Sequence, residues 1–175
     1  LRSGNDSAMA LAKHVGGSVD NFAKLMNKTA IKLGATNSNF VNPHGLNDKN
    51  HYTTARDLAV ITCHALNNET FKNIVKTKKY VCVNNFGEKR IFINKNKMLS
   101  NYDGADGVKT GFTKNAGRCL VSSATKNGMQ LISVVLGCNN MFERSTELLN
   151  DCFLNYSNHK IINKNQPIGE INVCS

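Results

Sequence analysis

No stretch of this 175-residue sequence approaches the roughly 20 consecutive apolar residues that a bilayer-spanning helix needs. The basic and apolar regions of a secretory leader are missing as well. Exported proteins lose their leaders, and the sequence starts at Leu1 rather than Met, so export stays compatible with it. None of the six cysteines forms a C-x-x-C pair or lies at zinc-finger spacing from a histidine, which argues against a metal site. Cys63 in I-T-C, Cys82 in V-C-V and Cys119 in R-C-L-V sit in apolar runs, where a thiol acts as a small core residue. An even number of cysteines permits disulfides, but no framework is readable and a reduced state fits equally. Aromatic residues are scarce, at 7%, which excludes a base-stacking platform. There is no internal repeat.

What is present suits one domain with a real core: 41% of residues are hydrophobic and 19% charged. Lys and Arg outnumber Asp and Glu by 22 to 12, a net charge of +10. Such an excess suits an acidic partner, yet it is spread along the chain and serves solubility in that form. Only Lys76-Thr77-Lys78-Lys79 and Lys95-Asn96-Lys97 form clusters.

Asn5 or Asp6 is expected to cap a first helix, carrying Leu11, Ala12 and Val15 and ended by Gly16-Gly17. Ser18 caps a second, with Phe22, Leu25, Met26, Ala30 and Leu33 at helical spacing. Residues 35 to 53 read as a loop. Thr54-Ala-Arg-Asp57 opens a third helix to about Leu66, and a short helix follows over 69–75. The period then changes to that of strands at 80–83 and 90–93. Two β-rich runs within 118–137 flank Asn127-Gly128, a strong hairpin signal because both residues tolerate positive φ. Met141 to Tyr156 reads as an amphipathic helix with Phe142, Leu148, Leu149, Cys152 and Phe153 inward. Helices first, then strands, then a long helix predict an α+β domain with an antiparallel sheet.

Two short motifs carry chemistry. In Asp106-Gly-Val-Lys109-Thr110-Gly111-Phe112-Thr113, a cation, a hydroxyl and a glycine share one probable strand. Lys109 and Thr110 suit a carboxylate, and Gly111 lets a ligand backbone come close. In Ser3-Gly4-Asn5, a hydroxyl and an amide two residues apart can face one cleft from a helix mouth. Either alone is better read as a surface strand or a plain cap. Together, S-x-N and K-T-G belong to the three-motif signature of penicillin-recognising enzymes.

The flanking residues carry the resemblance further. S-G-N-D-S-A-M-A-L-A, L-M-N-K-T-A-I-K-L-G-A-T-N-S-N-F, N-P-H-G-L, H-Y-T-T-A-R-D-L-A, D-G-V-K-T-G-F-T and A-G-R-C-L-V-S-S-A-T occur in that order. With M-Q-L-I-S-V-V-L-G they span nearly all of residues 1–154. The chain resembles the serine D-Ala-D-Ala carboxypeptidases, the low-molecular-mass penicillin-binding proteins of peptidase family S11. The resemblance implies a penicillin-binding-protein/β-lactamase-like transpeptidase fold, an antiparallel sheet flanked by helices with its N-terminal part outside this chain. It implies removal of the terminal D-alanine from peptidoglycan pentapeptides through an acyl-enzyme, with β-lactam antibiotics as acylating mimics and no cofactor, metal or nucleic acid. By the same resemblance, Ser3 assists proton transfer, Asn5 holds substrate, and Lys109 supports the proton network. Thr110 and Arg144 bind the terminal carboxylate, and Gly111 and the Phe112 N–H complete the cradle and oxyanion hole. For Arg144 an exposed helix arginine is an equally good reading. His44, His51, Arg56 and Asp57 are taken as structural, since the family chemistry uses no histidine.

One motif is missing. The nucleophilic S-x-x-K should precede Ser3, and only two residues do. Ser123-Ala-Thr-Lys126 lies in a strand, where positions i and i+3 point to opposite faces, and Ser157-Asn-His-Lys160 ends a helix in a polar linker. Neither is accepted. The chain is therefore expected to be a piece: residues 1–155 as a partial catalytic domain, and 156–175 as a linker with the first strand of a β-rich second domain. The nucleophile is expected on an upstream segment, and a membrane anchor downstream, in an enzyme of the bacterial cell envelope. A class A β-lactamase is the alternative, disfavoured because S-G-N stands where S-D-N is usual and Glu147-Leu-Leu-Asn150 follows K-T-G instead of preceding it. A non-catalytic peptidoglycan-binding or scaffolding module is the other.

Overall fold

A computed structural model describes residues 1–159 and 161 of the chain. Its elements are α1 (Asn5–Gly16), α2 (Val19–Lys32), α3 (Ala55–Ala65), α4 (Glu69–Val75), β1 (Lys79–Val83), β2 (Lys89–Ile93) and α5 (Met98–Asn101). There follow β3 (Ala105–Thr113), β4 (Gly117–Lys126), β5 (Met129–Val135) and α6 (Met141–Asn155). The α+β expectation holds. Strands β1 and β2 form a separate hairpin, while β3-β4-β5 make an antiparallel meander with β3 at one edge. The strand expected in the tail lies outside the described residues.

The helix starts follow their caps. Ser18 Oγ accepts the Asn21 N–H at 3.1 Å, and Thr54 Oγ1 accepts the Asp57 N–H at 3.1 Å. Each such cap stabilises a helix by about 1 kcal/mol. Helix α1 departs from expectation. Gly4 is its cap, in extended backbone and with no side-chain bond, while Asn5 and Asp6 are already helical. Ser3 at φ 61° turns the chain into the helix before Asn5, which frees the Asn5 side chain from capping. Asn127 and Gly128 have φ 50° and 75°, the left-handed pair that a two-residue hairpin demands. The loop over 35–53 is tied across by a bridge between Asn39 and Tyr52. Helix α5, with four residues, has too few positions for a period to register in the sequence.

Directly paired residues of antiparallel strands share a face. Thr110, Leu120 and Val135 therefore lie on one side of the meander, and Lys109, Val121 and Val134 on the other. The first face packs on α6. Leu120, Ala124 and Val135 join Met141 and Leu149 there, with Met98 and Tyr102 from α5 and its end. Phe142, Leu148 and Phe153 pack against this cluster. The second face looks toward the helical layer, which meets the sheet through α3 and α4. Ser123 and Lys126 part as the pleat requires. Ser123 Oγ donates to Asp106 Oδ1 at 2.5 Å, whereas Lys126 Nζ lies 4.4 Å from the Tyr102 ring centroid.

The helical layer is less covered than its pattern predicts. Leu11 and Val15 of α1 are 65% and 63% exposed, and Leu25 and Ile31 of α2 are exposed too.

Candidate active site

Strand β3 brings the second motif to the helical side. Asp106 anchors its start by accepting from Ser123 Oγ and Thr125 Oγ1 on β4 and from Gln130 Nε2 on β5. Past this anchor the pleat turns Lys109, Gly111 and Thr113 toward the helices, opposite Val121, Cys119 and Gly117. There Lys109 Nζ donates to Ser3 Oγ at 3.0 Å and also to the Thr110 carbonyl. The two motifs, 106 residues apart in sequence, meet through this bond. Ser3 reaches it from a left-handed backbone, a conformation that costs a non-glycine residue about 1–2 kcal/mol and that clusters at functional sites.

Two adjoining hollows of about 500 and 710 Å³ meet over this pair. Ser3, Asn5, Lys109, Thr110, Gly111 and His44 line both. The smaller continues into an apolar wall of Ala8, Met26, Leu58, Phe71, Val108 and Val121. The larger runs along the rest of β3 past Phe112 and Thr113. Because β3 is an edge strand among the described residues, alternate backbone groups along it have no strand partner on that side. A Cβ at Gly111 would meet only Cys119 Cβ, at 3.8 Å, an ordinary contact. Internal packing therefore does not require glycine there, and the bare backbone is left for a ligand.

Burial pushes the Lys109 ammonium below the ordinary lysine pKa, and the charge of Lys95 adds to the effect. Neither ion pair among the described residues includes Lys109. The cleft thus holds a cation that a bound carboxylate or other anion would stabilise. Among the described residues, no three His, Cys, Asp or Glu side chains converge to hold a metal ion.

Arg144 is not brought to this cleft. It is exposed on α6, its Nη1 pairs with Glu147 Oε2 at 2.9 Å, and it lines neither hollow. The histidines order the loop that walls the cleft. His51 Nδ1 accepts the Val41 N–H at 3.1 Å, and His44 Nδ1 accepts the Leu46 N–H at 3.1 Å. Burial is the main cause that lowers the His51 pKa, with Asp48 opposing it and His44 assisting. Asp57 is buried and accepts from Ser38 Oγ at 2.6 Å and from the Asn37 N–H at 2.7 Å, which ties α3 to the start of the same loop. Cys119 on the cleft floor and Lys95 at its rim had no motif to announce them. Only the pairing of Cys119 with Gly111 reveals the first, and only the fold reveals the second.

Residues 1–140 match the family model described as Peptidase S11, D-alanyl-D-alanine carboxypeptidase. The chain belongs to this family. It is 36% identical to D-alanyl-D-alanine carboxypeptidase DacF of Bacillus subtilis, over 99% of this chain and 45% of that protein. It is 39% identical to DacA of Haemophilus influenzae, over 96% of this chain and 43% of that protein. The chain thus spans a little under half the length of these relatives. Among solved structures, DacD of Francisella tularensis superposes with a TM-score of 0.82 at 31% identity, covering 95% of this chain and 52% of that one. The Streptomyces K15 DD-transpeptidase superposes with a TM-score of 0.75 at 37% identity, covering 83% and 61%. These neighbours place the S11 member's fold among the penicillin-binding proteins.

Proposed function

We propose that this chain forms most of the substrate cradle of a serine D-Ala-D-Ala carboxypeptidase, and that the whole protein trims peptidoglycan stem peptides through an acyl-enzyme. The serine of a Ser-x-x-Lys motif on a segment upstream of Leu1 attacks the carbonyl between the two D-alanines. Its oxygen bonds to that carbon, the bond to the terminal D-alanine nitrogen breaks, and the departing amine takes up a proton. Water then cleaves the resulting ester and restores the serine. The motif lysine accepts the serine proton. Ser3, bonded to Lys109, passes a proton toward the leaving amine. Asn5 and the β3 edge hold the peptide as an added antiparallel strand, close against Gly111. Lys109 and Thr110 receive its terminal carboxylate, and the Phe112 N–H joins the oxyanion hole. Penicillins acylate the same serine, because opening their ring leaves the amine tethered and the ester blocked.

The observation that carries this reading is the 3.0 Å bond between Lys109 Nζ and Ser3 Oγ inside an open cleft. The apolar wall beside it supports the rest of the reading. In this reading, a helix bearing the serine and lysine one turn apart seats its apolar side against that wall. The enzyme works where its polymer lies, outside the cytoplasmic membrane, held by an anchor downstream of residue 175. The test joins the upstream segment to this chain and incubates the product with a fluorescent penicillin. Covalent labelling of the joined protein and none of the chain alone is expected. A joined, folded protein that stays unlabelled refutes the assignment.

A further inference from the structure

Lys95-Asn96-Lys97 is one of two charge clusters in the sequence, and the proposed reaction uses neither lysine. Its middle residue is buried. Asn96 Nδ2 donates to the Gly107 carbonyl at 2.9 Å, Oδ1 accepts the Met98 N–H at 3.1 Å, and its own N–H donates to Asn94 Oδ1 at 2.9 Å. These bonds fasten the cluster to the start of β3, so that Lys95 and Lys97 stand at the rim of the cleft beside Lys109. A fourth cation stands at the far end. Arg118 pairs in register with Phe112, and its guanidinium carbon lies 5.8 Å from the Phe112 ring centroid. The stacking holds the side chain over the exposed end of the strand.

The larger hollow is thus lined by Lys95, Lys97, Lys109 and Arg118 and by no carboxylate. Neither ion pair among the described residues uses any of the four. Lys97 also borders a second hollow with Glu143 and Glu147, so the weight falls on Lys95 and Arg118. Cations of one sign lining a cleft raise the local concentration of anions. Their placement adds a spacing. A peptide added antiparallel to β3 puts its C-terminus at the Lys109 end and its earlier residues beside Phe112. Phe112 lies three steps along the strand from Lys109, which is about 10 Å of extended chain.

We infer that the cleft selects a dianionic peptide, with its terminal carboxylate at Lys95 and Lys109 and a second, free carboxylate at Arg118, about 10 Å away on the residue two before the last. Arg118 is then a specificity determinant that separates substrates with a free acid at that position from their amidated forms. This rests on the carboxypeptidase reading above and adds the substrate class.

The experiment uses the full protein with its upstream segment and two peptides, acetyl-Glu-D-Ala-D-Ala and acetyl-Gln-D-Ala-D-Ala. Release of D-alanine gives kcat/KM for each, and fluorescent-penicillin labelling is read in parallel. The acid is expected to be preferred about five- to tenfold, the scale of one exposed charge-assisted contact. Arg118→Gln brings the ratio toward one, Arg118→Lys keeps part of it, and raised salt shrinks it. Melting curves confirm that both variants are folded. Equal rates for the two peptides, with labelling intact, overturn this inference and leave the carboxypeptidase reading standing. An acid preference that Arg118→Gln leaves untouched also overturns it, as does equal inhibition of both peptides by inorganic phosphate without any acid preference. Failure of both turnover and labelling refutes the carboxypeptidase reading itself.

Discussion

Lys109 is the residue on which most of the proposed chemistry converges, and its surroundings set its pH behaviour. Burial first, and the Lys95 charge second, disfavour its protonated form. The proposed role needs the ammonium, so penicillin labelling of the full protein should fall on the alkaline side as Lys109 loses its proton. Lys95→Gln removes a repulsion, raises the Lys109 pKa and moves that alkaline limb to higher pH. An unmoved or down-shifted limb counts against the assignment. Lys109→Ala should slow labelling by about 10²-fold, as loss of one preorganised charge-stabilising donor does. Asp57 gives the opposite case. The Ser38 hydroxyl most of all, then the Asn37 and Thr54 contacts, favour its ionised form over the opposition of burial, and its pKa is lowered. A lowered carboxylate pKa adds stability that is fully present above the ordinary value of about 3.9 and is lost as pH falls through the folded value. Asp57→Asn should therefore melt lower than the parent near neutrality and lose less melting temperature on acidification below about pH 4. Parallel melting-temperature profiles for the two proteins contradict the linkage.

At the scale of elements, the joint between α1 and α2 separates two reasons for a glycine. A Cβ on Gly16 would come within 2.7 Å of the Phe22 nitrogen and 2.8 Å of its Cβ, so backbone must give way. Gly16→Ala should cost about 1–3 kcal/mol by overpacking, despite the better helix propensity of alanine. Gly17 has open space around it but φ 72°. Gly17→Ala should cost nearer 1 kcal/mol, from backbone conformation alone. Urea denaturation ranks the two, and a Gly16→Ala protein as stable as the parent shows that the helices separate freely. The same joint shows what the sequence made legible. The glycine pair, the Ser18 and Thr54 caps and the Asn127-Gly128 turn are local signals, and each element boundary they announced is where the structure has it to within a residue or two. Helix α1 began one residue early, because the left-handed Ser3, invisible in a residue string, had already turned the chain. The meeting of Ser3, Asn5 and Lys109 in one cleft is legible through their motifs. Lys95 and Cys119 were not, since their place in the cleft depends on the Asn96 bond to Gly107 and on strand register, both of which are long-range.

At the scale of the molecule, the two faces of the sheet are unequally covered. The α6 side has a closed cluster around Leu120 and Leu149, both essentially inaccessible. On the other side an apolar wall borders an open hollow of about 500 Å³, and Leu11, Val15, Leu25 and Ile31 of the first two helices are exposed. Burial of apolar surface yields about 25 cal/mol per Å², so the proposed upstream helix, seated against that wall, would stabilise the domain as well as deliver the nucleophile. In the proposed reading, catalysis and stability depend on the same upstream segment. Added in trans at a hundred times its dissociation constant, that segment should stabilise this chain by about 2.7 kcal/mol, seen as a raised melting temperature. It should also reduce the binding of a dye that reports exposed apolar surface. A segment whose Ser-x-x-Lys serine is changed to alanine should stabilise equally while abolishing penicillin labelling, because packing does not need the hydroxyl. Stabilisation lost together with labelling would mean that the hollow reads the serine itself. Labelling without stabilisation would place the segment elsewhere than the apolar wall.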